Sequence, residues 1–173
     1  MNFKGHITGG IVTGAALTGS AVLFSEPLGV PAPPLVLAQI FSITILFSLF
    51  PDLDISSIPQ RWFFRVIFVI LLGLSYHEYY EEATLLALVA ITPLLDHHRS
   101  WTHNIFSVLI FPVAMAGIYE YLLMKKQFFY DWSTDQLMLH LQNHIWLVAA
   151  CIVGWYTHLF LDSLPKFKQS GHH

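Results

Sequence analysis

The sequence predicts an all-α fold, an integral membrane bundle of about six hydrophobic helices. Three observations carry that expectation. Hydrophobic residues fill 55% of the 173 positions and charged residues only 11%, against roughly 25% charged in an ordinary soluble domain. Mean hydropathy is +0.58, and a buried core alone does not require so little charge. The apolar residues also gather into six runs with well-marked breaks. No long Ser/Gly or charged linker divides the chain, so residues 1–173 read as one domain.

The first run, residues 7–24, carries Gly10 and Gly14 as a G-x-x-x-G, extended by Gly5, Thr18 and Gly19. Small residues at that spacing let another helix backbone approach closely. The neighbour is expected inside the protein, the alternative being a partner helix and hence a homo-oligomer. A signal peptide fits the start poorly, since Met1 to His6 holds one Lys and no clear small-residue cleavage site follows. His6 is therefore expected in the mature protein. Pro27, Pro31, Pro33 and Pro34 make an extended hairpin, and the second run, 35–50, stops at Pro51, which with Pro59 brackets a turn.

The third run, 62–76, ends at the polar, aromatic junction His77-Glu78-Tyr79-Tyr80-Glu81-Glu82. The fourth, 83–95, contains Pro93, and the fifth, 105–124, contains Pro112; both prolines should bend their helices. The connection 125–143, aromatic and of mixed charge, is expected along the membrane interface, and the sixth run is 145–164. Runs one, five and six reach the ~18 to 20 residues that cross the hydrocarbon core. The middle three are shorter and would be tilted, interfacial or partly buried. The terminal Gly171-His172-His173 reads either as the remnant of a purification tag or as native sequence, and no function is assigned to it.

Six crossings would bring the N-terminus, the 51–61 turn, the 96–103 turn and the C-terminus to one side. That side collects Lys4, Arg61, Arg65, Arg99, Lys166 and Lys168, whereas the other has only Lys125 and Lys126. The imbalance points the first side to the cytoplasm by the positive-inside rule.

Several function classes are excluded. A net charge of −3 leaves no basic footprint for nucleic acid. The lone Cys151 rules out an internal disulfide and a cysteine-based zinc cluster. No G-x-S-x-G, P-loop or dinucleotide fingerprint occurs. His77-Glu78 is followed by Glu81 and Glu82, so the H-E-x-x-H pattern is missing as well. His140 and His144 are four apart, but they fall on the opposite side and read as part of an interfacial amphipathic helix.

Four clusters on the common side carry the chemistry. His158 and Asp162, four apart in an apolar run, share one helical face about one turn apart, and a carboxylate within such a run is costly unless paired. Asp52 and Asp54, in Phe50-Pro51-Asp52-Leu53-Asp54, either reach one cation together or divide the work, one ligating and the other orienting a His through its ring N–H. Turn capping is the plain alternative. Asp96-His97-His98-Arg99-Ser100-Trp101-Thr102-His103-Asn104 offers imidazole ligands, a general acid or base, and a guanidinium fork for an anionic phosphate or carboxylate. Asn104 or Thr102 would cap the helix that follows. His6, between Gly5 and Gly9-Gly10, enters from the first helix.

These motifs, Gly5-His6, Phe50-Pro51-Asp52-Leu53-Asp54, His98-Arg99-Ser100-Trp101-Thr102-His103 and Gly154-Trp155-Tyr156-Thr157-His158-Leu159-Phe160-Leu161-Asp162, stand in the order seen in a known family. Across nearly its whole length the chain resembles the membrane-bound metal-dependent hydrolases of the YdjM-like, LexA-regulated inner-membrane type. The family pattern often has His after P-D-x-D, where this chain has Ile55, and that departure leaves the number of metals open. The resemblance implies a divalent-metal hydrolase of the inner membrane; His-x-x-x-Asp is also similar to a motif in zinc-dependent phospholipases C and related nucleases.

The expected protein is thus a multi-pass membrane hydrolase with a cytoplasm-facing metal site, acting on a small-molecule or lipid-derived ester or phosphoester. His6, Asp52, His103, His158 and Asp162 are the expected ligands, with Asp54 and His98 beside them or on a second metal. Arg99 would hold a phosphate and His97 would protonate the leaving group. Zinc is preferred on the His content, although Mn and Fe accept the same mixed donors. The competing readings are a metal-ion or proton transporter, and a membrane partner protein with a metal-free polar network.

Overall fold

The computed structural model describes residues 3–30, 32–54, 57–94, 102–124 and 134–163, and every described element is helical. Helix α1 spans Phe3–Leu28 and stops where Gly29 takes a positive φ of 63°, a conformation that glycine adopts without Cβ strain. Helix α2, Pro34–Leu49, starts on a proline whose missing N–H costs nothing in the first turn. It tightens into a 3-10 turn, Phe50–Asp54, because Pro51 has no N–H with which to continue the α-helical ladder.

That turn is pinned from the next helix. Ser57 caps α3, Ile58–Tyr76, by accepting from the Gln60 amide at 3.1 Å. The Ser57 hydroxyl lies 3.1 Å from the Asp52 carbonyl, and Gln60 Nε2 donates to the Leu53 carbonyl at 2.9 Å. Helix α4, Tyr80–Ile91, runs into a 3-10 turn at Thr92–Leu94 that contains Pro93. Helix α5, Ile105–Met124, is capped by Asn104, whose Oδ1 accepts from the Phe106 amide at 3.0 Å. Helix α6, Thr134–Asn143, is followed after His144 by α7, Ile145–Ser163.

Five of these helices, α1, α2, α3, α5 and α7, are long and apolar enough to cross a membrane. Helix α4 is the exception to the expected six. With its 3-10 extension it is about 24 Å long, short of a ~30 Å hydrocarbon core. It nevertheless returns the chain, since the 92–94 turn packs on the 50–54 turn. The outer faces carry exposed apolar side chains such as Val12, Phe68, Val69 and Ile110, as expected of helices solvated by lipid.

Helix α2 is the centre of the bundle, in contact with α1 and α7, which also touch each other. Close approach is set by glycine. A Cβ on Gly10 would lie 3.1 Å from the Ile45 Cα and one on Gly14 3.3 Å from the Phe41 carbonyl oxygen, so these two glycines serve packing inside the protein, against α2, whereas nothing lies within 4 Å of a Cβ at Gly19. A Cβ on Gly154 would lie 3.0 Å from the Phe47 Cβ and 3.1 Å from the Thr44 carbonyl carbon, and nearer still to that carbonyl's oxygen. Beside this crossing Phe47, Phe50, Phe111 and Trp155 form an aromatic core with ring centroids 5.1 to 6.4 Å apart, within the range of favourable ring pairs.

Candidate metal centre

At the end of the bundle where α1 begins and α7 finishes, five chemistry-bearing side chains from four places in the sequence meet. His6 comes from the second turn of α1, Asp52 from the 3-10 turn after α2, His103 from the approach to α5, and His158 and Asp162 from the last turns of α7. The His6 and His158 side chains are buried, at 1% and 0% exposure, while Asp52, Asp162 and His103 keep 18%, 26% and 14%. The two imidazoles form the floor and the other three groups the rim.

His158 is held in one tautomer. Its Nδ1 lies 2.9 Å from the Ser48 carbonyl oxygen; a carbonyl only accepts, so Nδ1 must carry the proton, and the Nε2 lone pair is left facing the cluster. Ligating histidines are commonly oriented in this way by a backbone carbonyl. The Ser48 hydroxyl also lies within hydrogen-bond distance of the His6 carbonyl (3.1 Å) and the Ile45 carbonyl (2.7 Å). One residue of α2 thereby ties α1 and α7 together beneath the site. Its position in an apolar run gave no sign of this role.

The ligand atoms are spaced as donors around a small cation. His6 Nε2 is 3.3 Å from Asp162 Oδ1, His158 Nε2 is 3.5 Å from Asp162 Oδ2 and 3.6 Å from Asp52 Oδ1, and His103 Nε2 is 3.9 Å from Asp162 Oδ2. These distances exceed the usual 2.7 to 3.2 Å of N–H···O hydrogen bonds. Two donors about 2.1 Å from a tetrahedral metal stand about 3.4 Å apart, so the observed edges fit a common cation. The donors form two overlapping triads, His6 with Asp52 and His158, and His103 with His158 and Asp162, each within 4.8 Å.

Buried nitrogens point the same way. His6 Nδ1 and His158 Nε2 make no hydrogen bond among the described residues, and a buried polar atom left so costs about 1 to 3 kcal/mol. A cation accepting the His158 Nε2 lone pair removes the cost there. The imidazoles are packed tightly, His6 stacked on His158 at 4.0 Å between centroids and His103 edge-on to His158 at 5.5 Å. His158 is common to both triads, and Asp162 turns Oδ1 to His6 and Oδ2 to His103 and His158.

Position 103 is anchored from α7. The Trp155 indole, fully buried, donates to the Thr102 carbonyl at 2.7 Å, and Thr102 Oγ1 lies 3.1 Å from His103 Nδ1. The five expected ligands are thus brought together. His97, His98 and Arg99 lie outside the described residues, as does the side chain of Asp54.

The opposite end of the bundle holds a pair that the sequence reading passed over. Glu120, 5% exposed within α5, forms an ion pair with His144, and the Tyr119 ring meets His144 edge-on at 5.1 Å. A carboxylate inside an apolar 20-residue run was the available signal. The neighbouring His140 lies in α6, with its side chain outside the described residues.

A family model described as YdjM inner membrane protein matches residues 1–170. No curated protein and no solved structure matches the chain. With five helices suited to crossing a membrane and a family match over nearly its full length, the chain belongs to the YdjM inner membrane protein family.

Proposed function

We propose that this inner membrane protein is a divalent-metal-dependent hydrolase of esters or phosphoesters, with its site facing the cytoplasm. The observation that carries the reading is the convergence of His6, Asp52, His103, His158 and Asp162 at one end of the bundle, as two overlapping triads that share His158 and are each spaced for a cation. Three imidazoles and two carboxylates suit zinc, and Mn or Fe would accept the same set. When bound, such an ion acts as a Lewis acid and lowers the pKa of a coordinated water towards about 7. The chain supplies orientation: Ser48 fixes the His158 ring, and Asp162 offers one oxygen to each side of the cluster. Arg99 would clamp the anionic group with its planar fork and His97 would give a proton to the leaving oxygen, with His98 and Asp54 assisting the ligands. The cytoplasmic direction is supported by the Lys and Arg excess on that side.

The Glu120–His144 pair gives a reason to keep transport as the second reading, since polar groups occur at both ends. Between the ends, however, the described residues of α2, α5 and α7 enclose the aromatic core of Phe47, Phe50, Phe111 and Trp155 rather than a polar path. The test is purified protein in nanodiscs, supplied with Zn or Mn and a panel of esters and phosphoesters. Metal-dependent turnover that disappears in His158→Ala and Asp162→Ala is expected. No turnover across the panel, together with metal accumulation in proteoliposomes, would replace hydrolysis with transport.

A further inference from the structure

A groove of about 870 Å³ runs down the outer side of the α1–α7 contact. It starts beside the metal centre, because Gly5 precedes His6 on α1, and Thr157 and Leu161 precede His158 and Asp162 on α7. From Lys4 to Thr13 it descends about 14 Å along α1, close to half of a ~30 Å hydrocarbon core and so to the depth of one leaflet. Its walls present hydrocarbon although three threonines line it, since Thr8, Thr13 and Thr157 bond back to their own helix at the Lys4, Gly9 and Val153 carbonyls, at 2.9, 2.8 and 2.7 Å. Lys4, at the end beside the site, is the one charged lining residue among those described.

We propose that this groove seats one acyl chain of a phosphate-bearing lipid from the leaflet on the site's side, with Lys4 gripping the phosphate. A soluble phosphoester would have no use for an apolar trough one leaflet deep. A neutral lipid would have no use for the cation at its mouth. The trough therefore selects the substrate class, an anionic phospholipid whose phosphoester is drawn towards Asp162 and the imidazoles; that last step rests on the hydrolase reading, whereas the seating of the chain does not.

The experiment uses the full chain in phosphatidylcholine nanodiscs doped with phosphatidic acid that carries a mid-chain photoactivatable diazirine. Adducts should concentrate on residues 4–13 and 152–161. Val12→Trp, at a position 63% exposed, fills the groove without touching the core and should lower adduct yield about tenfold, the equivalent of about 1.4 kcal/mol. Val69→Trp, 67% exposed on α3, should leave it unchanged. Lys4→Gln should abolish the preference for phosphatidic acid over a phosphatidylcholine probe. Adducts spread equally over α3, an undiminished yield in Val12→Trp, or high-yield disulfide dimers of Val12→Cys, which would seat a second copy in the groove, would each overturn the assignment. Retained adducts with no metal-dependent turnover would refute the hydrolase reading and leave the groove assigned.

Discussion

Substituting Gly154 with Ala tests whether the α2–α7 crossing sets the geometry of the candidate metal centre. The new methyl would start 3.0 Å from the Phe47 Cβ and 3.1 Å from the Thr44 carbonyl carbon, whereas ordinary carbon contacts begin near ~3.5 Å. The Thr44 carbonyl oxygen lies nearer still and, as helix backbone, cannot swing aside, so α2 must withdraw by roughly an ångström, an overpacking cost of about 1 to 3 kcal/mol or more. Gly154 lies one turn before His158, so the same movement acts on the 2.9 Å bond from His158 Nδ1 to the Ser48 carbonyl and takes it beyond the usual hydrogen-bond range. Loss of such an orienting bond typically lowers metal affinity about 10- to 100-fold. The assays are the thermal midpoint of the metal-free protein in detergent and zinc affinity by chelator competition. The midpoint should fall by roughly 2 to 10 °C. Gly19→Ala is the control: nothing lies within 4 Å of its Cβ position, and it should be neutral or gain about 0.5 to 1 kcal/mol. If Gly154→Ala matches the parent protein in both midpoint and affinity, the crossing does not govern the site.

Three further outcomes are expected. His158→Ala and Asp162→Ala should each lose stoichiometric zinc at limiting metal, and with it the rise in thermal midpoint that a ligand bound only by the folded state provides; full occupancy in both, by elemental analysis, would remove them from the ligand set. Trp155→Phe keeps an aromatic ring but loses the 2.7 Å bond to the Thr102 carbonyl and leaves a small void in the buried core, so it should cost about 1 to 3 kcal/mol of stability and weaken zinc binding, while a variant indistinguishable in affinity would show that His103 needs no such anchor. Single cysteines at Ile58 and Asn104, placed in a chain whose buried Cys151 is replaced by Ala, should label from the cytoplasmic side and one at Tyr79 from the other; labelling of Ile58 and Asn104 from opposite sides would contradict the packing of the 50–54 and 92–94 turns.

Helix existence was legible along the chain because it depends on local quantities. Runs of apolar residues lie within α1, α2, α3, α5 and α7, Pro51 ends α2 where its missing N–H requires, and Asn104 caps α5 as its side chain allows. The His158–Asp162 pair was legible for the same reason, being fixed by helical period alone. Gly10 and Gly14 announced a close helix contact but not its owner. The structure chose α2.

Composition and the order of the motifs in the sequence determined a helical membrane protein, its family, and the five side chains that meet at one end of the bundle. Only the tertiary structure decided that α4 can return the chain without the length of a full crossing, that Ser48 orients His158 through a backbone oxygen, that Glu120 meets His144 at the far end, and that α1 and α7 leave a groove beside the site. The physical reason lies in the solvent. In water a helix marks its buried face with apolar residues and its outer face with polar ones, but in lipid both faces are apolar. Hydrophobic pattern therefore locates these helices without orienting them, and their facing is settled by contacts between residues far apart in the chain.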